Sequence, residues 1–349
     1  MTENNLYIPF KERSDASIGG PSTFMKNLKT WLDKHHYPYS EDIENSAGIF
    51  FPIAYDIETL KRFKKQRKHI IQRLDGIFYP EKHGKDYKKM NKTIKQVYQN
   101  LATHTVFQSE YCKNQCFKMF GKKKEGQYSI IHNGVNQSIF YPSEEKKTLN
   151  KDDIRLVMTG NFRNPDQLYP VIKALELVKN RLTFTLTIAG PISDASLKEY
   201  LKQNYIQYAG ELDIKDVAGL LRQSDIFLFS SLNPPCPNSV LEAVSCGLPV
   251  VAFSDGSMPE LLNFNSELLA AVPDRVFNSP EDLIPDKLAE KILLAVEEFE
   301  KFRQKTINYY KMVSFDLCGK KYVDTFETIT LKYQSKANSL SLKKTLWRN

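Results

Sequence analysis

The sequence predicts an α/β protein with two domains, each built on a parallel sheet. Strand-like and helix-like segments alternate along nearly the whole chain, which is typical of α/β architecture. A glycine-containing loop follows the first predicted strand of each half, at Gly19 and Gly20 and again at Gly160. Between the halves, residues 142–153 are polar and lack apolar periodicity, so we expect a linker there. The 349 residues are enough for two domains of ordinary size.

The first half divides into short strands and longer helices. Apolar runs bounded by turn residues predict strands, and apolar residues at helical spacing, such as Phe24, Leu28 and Leu32, predict helices. Predicted strands cover residues 5–9, 48–53, 70–71, 105–107 and 130–131. Predicted helices start near residue 22, cover 56–68 and 85–102, and extend from a cap at Ser109 to Gly121.

The second half repeats the alternation and ends in helices. Predicted strands cover residues 155–159, 184–189, 206–208, 226–229 and 250–253. Predicted helices cover 168–179, 195–202, 214–223, a segment from 239, and 285–310, with further helix to about 336. These elements predict a first domain at 1–145, a second at 151–318, a C-terminal helix at 319–336 and a polar tail at 337–349.

Composition excludes several classes of protein. Hydrophobic residues make up 41% and charged residues 26%, as in ordinary globular chains. Five cysteines without framework spacing favour a reducing compartment over a disulfide scaffold. The first residues lack the pattern of a signal peptide, and no run of 18 apolar residues predicts a membrane span. We therefore expect a cytoplasmic protein.

The positive charge is concentrated in the first half. Residues 1–150 contain 25 Lys and Arg against 16 Asp and Glu, whereas the whole chain has a net charge of +8. The dense runs are residues 61–68, 82–95 and 118–124. This asymmetry suggests an anionic partner such as a membrane surface, a lipid phosphate or a nucleic acid. The alternative is that these runs are solvated helix faces without a partner.

The segment of residues 230–251 carries the clearest chemical signal. A buried strand ends at Phe229, a proline-rich loop follows, and a helix starts near Ser239. Free amides and the dipole at a helix N-terminus favour a diphosphate. Ligands of open α/β sheets bind at the carboxyl ends of the strands, where this loop lies. Glu242 either accepts hydrogen bonds from a ribose or closes a capping box with Ser239.

Other motifs are weaker or missing. Gly19 and Gly20 before a helix form a second phosphate-type loop, although glycine is also common where a strand turns tightly into a helix. The sequence contains no full GxGxxG and no GxxxxGK[ST], which disfavours dinucleotide dehydrogenases and P-loop proteins. No metal-binding pattern stands out, so we expect neither a metal nor another cofactor.

An ordered series of motifs resembles the retaining GT-B glycosyltransferases of family 4, also called glycosyl transferases group 1. The resemblance begins at Gly19 and Gly20 and covers most of the chain. Its most specific part is the run PCPNSVLEAVSCGLPVV at residues 235–251. The other matching segments are QRLDG at 72–76, QSEY at 108–111, IHNGV at 131–135, FYP at 140–142, AG at 189–190, YAG at 208–210, SDI at 224–226 and PEL at 259–261.

The resemblance implies two Rossmann-like domains facing across a cleft. The second would hold a nucleotide-sugar donor and the first an acceptor, with the C-terminal helix crossing back to the first. Glu242 matches the ribose ligand of the family. The predicted donor-binding residues are Gly160, Asn161, Gly210, Asn238, Ser239, Val240 and Glu242, and the predicted catalytic residues are Arg163 and Glu242. The predicted acceptor and phosphate loop comprises Gly19, Gly20, Arg73 and Asp75.

Three positions depart from the family pattern. The family commonly has a glutamate eight positions before Glu242, where this chain has Pro234. The lysine that usually neutralises the diphosphate is replaced near Gln167, which leaves Arg163 as the one clear cation. Gln72 stands where the related branch has histidine. A diphosphate leaving group needs charge stabilisation, so these changes bear on catalysis more than on fold.

We therefore expect a hexosyltransferase of polysaccharide biosynthesis. It would use a UDP- or GDP-sugar, retain the anomeric configuration and act on a glycan or lipid-linked acceptor without a metal. The basic first half would hold it at an anionic inner membrane face. One alternative is a non-catalytic homologue that binds a nucleotide-sugar or a partner protein. The other is a nucleic-acid-binding protein, which we disfavour because no recognised nucleic-acid module is present.

Overall fold

The computed structural model describes residues 5–10, 20–143 and 148–346, with side chains up to residue 330. Contacts divide the chain into two compact units. The first comprises residues up to 132 together with residues from 316 onward, and the second comprises residues 133–315. Within the described ranges, no helix is long and apolar enough to cross a membrane.

The first unit contains a parallel sheet whose strands lie side by side in chain order, β1 to β5. This sheet has no reversal of strand order in its described part. The strands are β1 Leu6–Tyr7, β2 Gly48–Pro52, β3 His69–Leu74, β4 His104–Phe107 and β5 Tyr128–Ile130. The helices are α1 Gly20–Lys34, α2 Ile57–Lys65, α3 Pro80–His83, α4 Tyr87–Met90, α5 Lys92–Gln96 and α6 Glu110–Phe120.

Local sequence accounts for the ends of these helices. The Ser109 hydroxyl accepts a hydrogen bond from the Cys112 amide at 3.0 Å, and Gly121 with φ +97° ends α6, as predicted. The long helix predicted at 85–102 is instead broken into α4, α5 and a π-turn at Val97–Leu101. The break lies at the buried residue Asn91. Its side chain accepts a hydrogen bond from the backbone amide of Phe78 and donates one to the carbonyl of the same residue.

The second unit contains a six-stranded parallel sheet in the order β11-β10-β9-β6-β7-β8. The strand order reverses between β6 and β9, which pair through Leu156 and Ile226. Such a reversal opens a crevice at the carboxyl ends of the two strands, where ligands of open α/β sheets bind. The strands are β6 Ile154–Thr159, β7 Phe184–Ala189, β8 Ile206–Gly210, β9 Ile226–Phe229, β10 Val250–Phe253 and β11 Leu269–Ala270.

Helices pack on both faces of this second sheet through two apolar clusters. One cluster joins the sheet to α7 and α11, and the other joins it to α8 and α9. The helices are α7 Tyr169–Val178, α8 Ile214–Gln223, α9 Asn238–Ser245, α10 Met258–Leu261, α11 Pro285–Glu297 and α12 Phe299–Tyr309. The helix predicted at 195–202 is a 3-10 helix, Ala195–Lys202.

The boundaries of the units differ from the predicted 1–145 and 151–318. Residues after 132 belong to the second unit because Val135 exchanges backbone hydrogen bonds with Val313 and Phe315, each 2.8 Å long. Phe140 is also buried in an apolar cluster of the second unit. The polar residues at 142–153 therefore do not mark the boundary between the units. The chain already packs into the apolar core of the second unit before this polar stretch begins.

The last helix, α13 Phe315–Leu346, begins before the predicted residue 319 and includes most of the predicted tail. Residues 347–349 lie outside the described residues. From residue 316 onward the helix belongs to the first unit. Trp31 donates its indole hydrogen to Asp316 at 2.9 Å, and the Tyr322 ring packs against Phe24 and Phe50.

Candidate functional site

The crevice of the second sheet is bordered by the start of α9. The helix begins at Asn238 after Pro237, and no side chain caps it. Within the described part of the chain, the amides of Asn238, Ser239 and Val240 have no hydrogen-bond acceptor. The structure thus places these three predicted donor-binding residues in the first turn. Three free amides on the positive end of a helix dipole form a site for an anion such as a diphosphate.

Glu242 lies one turn into α9 and is partly buried. Its carboxyl group has no hydrogen-bond partner among the residues with described side chains, and burial raises its pKa from 4.5 to about 7. The alternative that Glu242 closes a capping box with Ser239 is wrong, because the helix already begins at Asn238 and no capping bond forms. The carboxyl group is therefore available to a ligand.

The loop before α9 is held by side chains from two other segments. The Asp166 carboxylate accepts a hydrogen bond from the Leu232 amide at 2.7 Å, and its carbonyl accepts one from the Ser230 hydroxyl at 2.6 Å. The Asn133 side chain donates to the Cys236 carbonyl at 3.1 Å and to the Asn238 side chain at 2.8 Å. Neither Asp166 nor Asn133 was among the predicted site residues. For Asn133 a signal existed, since it lies in the conspicuous IHNGV segment.

A buried group of polar side chains supports the loop from the β10 side. Asn233 adopts a left-handed conformation with φ +53°, and its amide donates to the Asp255 carboxylate at 2.5 Å. The same carboxylate accepts hydrogen bonds from the Gly256 amide at 2.8 Å and the Asn278 side chain at 2.9 Å. The pKa of Asp255 is raised above its usual value because burial outweighs these hydrogen bonds, which act in the opposite direction. Asn233 lies in the segment of residues 230–251 that carries the clearest chemical signal, but none of Asn233, Asp255 and Asn278 was a predicted site residue.

The loop after β6 forms the opposite side of the crevice. Gly160 has φ +155°, and a Cβ added to it would meet no atom within 4 Å. Arg163 is exposed, and Asn161 is partly buried. Gln167 accepts hydrogen bonds from the Arg163 and Asn164 amides at 2.7 and 3.1 Å and donates to the Asn161 carbonyl at 3.0 Å. Gln167 thus shapes the loop from within, and Arg163 is the cation that this loop exposes.

Gly210 lies farther from the crevice than the other predicted donor residues. It ends β8, which is the edge strand and is separated from β6 by β7. At the usual strand spacing, β8 lies roughly 10 Å to the side of β6. The Gly210 carbonyl accepts a hydrogen bond from the Gly190 amide at 2.6 Å. Its observed contact is therefore with the neighbouring strand.

The predicted acceptor residues of the first unit are only partly available. Gly20 begins α1, whereas Gly19 lies outside the described residues. Arg73 is 1% exposed and forms an ion pair with Asp75. Its guanidinium also donates to the Tyr322 hydroxyl at 3.0 Å and lies 3.8 Å from the centroid of the Phe24 ring. The prediction that Arg73 faces a ligand is wrong, because the fold encloses this charge among its own side chains.

Gln72, the position that departs from the related branch, is also structural. Its side chain is buried and donates to the Ile53 carbonyl at 2.7 Å. Ile53 has φ +66°, a conformation that is strained for a β-branched residue. The hydrogen bond therefore fixes the turn that follows β2.

Residues 153–298 match the family model described as glycosyl transferases group 1. This range contains β6, the loop of residues 230–237 and α9. The second unit therefore carries a glycosyl transferases group 1 domain. The predicted assignment to this group is confirmed at the level of the domain.

Curated relatives agree with this family. Over 147 residues, 40% of this chain, the sequence is 31% identical to one of the subunits of the phosphatidylinositol N-acetylglucosaminyltransferase of Homo sapiens. It is 26% identical over 276 residues, 74% of this chain and 68% of the relative, to an uncharacterized glycosyltransferase of Methanocaldococcus jannaschii. The match spans between 30% and 39% of the length of the human protein and two other similar relatives, from Paenarthrobacter aurescens and Schizosaccharomyces pombe.

Solved structures share the fold across almost the whole chain. A structure of Anabaena HepE in complex with UDP and glucose aligns with a TM-score of 0.66 and 14% identity, covering 93% of this chain and 99% of HepE. The glycosyltransferase WaaG, involved in lipopolysaccharide biosynthesis, aligns with a TM-score of 0.60 and 14% identity, covering 92% and 98%. The predicted α/β class with two parallel-sheet domains is thus confirmed.

Proposed function

We propose that the protein is a glycosyltransferase that binds a UDP- or GDP-sugar at the second unit and transfers the hexose to a glycan or lipid-linked acceptor. The start of α9 carries this proposal, because three unbonded amides lie one turn before an unpaired carboxyl group. The amides would bind the diphosphate, and Glu242 would accept hydrogen bonds from the ribose hydroxyls. UDP is the first nucleotide to test, since the HepE structure contains it.

In the proposed reaction, the bond between the sugar C1 and the diphosphate breaks, and negative charge accumulates on the departing diphosphate. The oxygen of an acceptor hydroxyl bonds to C1 on the same face, and its proton passes to the departing diphosphate oxygen. The α9 amides and the exposed Arg163 would stabilise this charge without a metal. Within the described residues, no group of three metal-binding side chains occurs.

Nucleotide binding provides the first test. Isothermal titration with UDP, GDP, ADP and CMP should give a measurable dissociation constant for one nucleotide. The Glu242→Ala variant should weaken it at least tenfold, since the ribose would lose its carboxylate partner. Glu297→Ala, at an exposed position of α11, is the matched control and should bind like the wild type. Failure of all four nucleotides to bind at millimolar concentration would contradict the proposal.

A second candidate is a homologue that binds the nucleotide-sugar but does not transfer it. Two observations favour it: Pro234 is buried in the loop where the family has a glutamate, and Gln167 is used inside its own loop. This chain therefore has fewer charged groups for the leaving diphosphate than its family. The two candidates are separated by incubating the protein with simple acceptors and the UDP- or GDP-sugar that it binds, and by measuring the rate at which the nucleotide is released. Binding of the nucleotide-sugar without nucleotide release above background would favour the non-catalytic homologue.

The acceptor side of the proposal includes an anionic membrane surface. Two of the basic runs end at the amino edge of the first sheet, just before β3 and before β5. One lysine from each run donates a hydrogen bond to a backbone carbonyl of the same short segment. Lys64 donates to the carbonyl of Asn100 at 2.5 Å, and Lys123 donates to the carbonyl of Ala102 at 3.3 Å. The runs therefore form one basic edge, which contains the exposed residues Lys65, Arg67, Lys122 and Lys124.

Vesicle sedimentation tests the basic edge. The protein should bind phosphatidylglycerol vesicles but not phosphatidylcholine vesicles, at roughly 1 kcal/mol per basic residue near the surface. Changing the four exposed residues of the basic edge to Glu should weaken binding at least tenfold. The control is the same change at exposed residues of the second unit: Lys179, Arg181, Lys198 and Lys215. Membrane docking would be contradicted if the two sets of four substitutions weakened vesicle binding equally, or if the protein bound DNA more tightly than phosphatidylglycerol vesicles.

A further inference from the structure

The loop that leads into α9 has an unusual backbone conformation that one carboxylate maintains. Asn233 has φ +53°, which costs free energy in any residue except glycine and is most tolerable for Asn or Asp. Its side chain pairs with the backbone of Asn278 in both directions, donating to the carbonyl and accepting from the amide at 2.9 Å each. Asn233 and Asn278 are 3% and 2% exposed. Position 233 is therefore fixed by buried hydrogen bonds.

Asp255 holds this arrangement together. One carboxylate oxygen accepts from the Asn233 amide, and the other accepts from the Gly256 amide and the Asn278 side chain. Asp255 is 2% exposed, so it does not reach a ligand in the crevice. All three partners are donors. A neutral Asn at position 255 would place an NH2 group against at least one of them, and a buried donor would lose its acceptor.

The loop transmits this constraint to the start of α9. The Ser257 amide donates to the Pro234 carbonyl at 2.9 Å, and Gly256 packs so closely on Pro234 that a Cβ would overlap its backbone. Prolines at 234, 235 and 237 restrict the backbone between this anchor and the first free amide at Asn238. Few backbone angles can therefore change between the anchor and the amides.

From these contacts we propose that Asp255 is a positioning residue of the donor site. By fixing Asn233 it sets the direction of the proline loop and the placement of the α9 amides that would receive the diphosphate. This inference rests on the proposed function, because the diphosphate is the ligand whose binding it predicts. It adds a residue that is 17 positions away from Asn238 in the sequence and touches no substrate.

Asp225 provides a matched control within the same sheet. It is also a buried carboxylate, 3% exposed, and accepts a hydrogen bond from the Arg155 amide at 2.7 Å. It precedes β9 and so lies at the amino edge, opposite the crevice. Asp225→Asn should therefore cost stability in the same way as Asp255→Asn without moving the α9 amides.

The experiment compares Asp255→Asn and Asp225→Asn at a temperature where calorimetry shows that both variants are folded. Asp255→Asn should weaken binding of the nucleotide that the wild type binds at least tenfold and raise KM for the sugar donor. Asp225→Asn should change the nucleotide affinity and the KM for the sugar donor less than twofold. Amide hydrogen exchange should accelerate in residues 230–238 only in Asp255→Asn. Wild-type affinity in folded Asp255→Asn, or equal losses in both variants, would overturn the inference.

A second variant serves if Asp255→Asn does not fold. Asn233→Gly permits φ +53° without strain but removes the side-chain pair with Asn278. It should weaken nucleotide binding about threefold to tenfold and accelerate exchange in the same loop. Unchanged exchange and affinity would overturn the inference. Failure of the wild type to bind any nucleotide would instead overturn the proposed function, and the exchange result would then show whether Asp255 orders the loop at all.

Discussion

The Glu242→Gln substitution should remove the pH dependence that this carboxyl group gives to the stability of the second unit. Burial raises the pKa of Glu242 from 4.5 to about 7, and no described hydrogen bond or ion pair offsets the burial. The folded protein therefore binds this proton more tightly than the unfolded chain does. The contribution of Glu242 to the free energy of unfolding is complete below pH 4.5 and is lost as the pH rises to about 7.

The magnitude follows from the difference between the two pKa values. At about 1.4 kcal/mol per pH unit, a rise from 4.5 to about 7 corresponds to roughly 3 kcal/mol. Glutamine has a similar shape but does not ionise. Between pH 4.5 and 8, Glu242→Gln should therefore gain roughly 3 kcal/mol of stability relative to the wild type. For a unit of this size, that difference raises the relative melting temperature by roughly 6–12 °C.

Calorimetry of both proteins at pH 4.5, 6, 7 and 8 without ligand measures this difference. The transition of the second unit is identified by the Gly190→Ala variant described below. Glu297→Gln, at an exposed position, should run parallel to the wild type across the same range. If the wild-type and Glu242→Gln melting temperatures also run parallel, the carboxyl group is not buried as the structure indicates. The argument for an unpaired ligand group at α9 would then fail.

Two further predictions concern the close packing at Gly190 and the buried hydrogen bond of Tyr322. Gly190→Ala should destabilise the second unit by about 3 kcal/mol or more in urea unfolding, because its Cβ would overlap the Gly160 carbonyl and its φ is +128°. Gly219→Ala, at a position in α8 where an added Cβ meets no atom, should instead stabilise the second unit by about 0.5–1 kcal/mol. Equal changes in the free energy of unfolding for the two variants would refute the close packing of Gly190 on Gly160. Tyr322→Phe should cost about 1–3 kcal/mol in the first unit, since Arg73 loses a buried acceptor; an unchanged urea midpoint would argue against this contact.

Several features were readable from the sequence because they depend on residues close together in the chain. The alternation of strands and helices, the Ser109 cap and the Gly121 end of α6 are of this kind. So is the helix after the proline loop, where apolar residues at helical spacing follow Pro237 and predict both the helix and its free amides. Local sequence thus determined the fold class and the central part of the candidate site.

Other features were decided by residues that are distant in the chain. Arg73 matches a family segment and was predicted to face a ligand, yet Tyr322, 249 positions later, completes its burial. The same is true of Asp255 and Asn278, which fix Asn233 from 22 and 45 positions away. Whether a charged or polar side chain meets a ligand or another side chain depends on what packs around it. Local patterns fix where helices and strands begin, but only the tertiary structure determines which polar groups remain unpaired at the crevice.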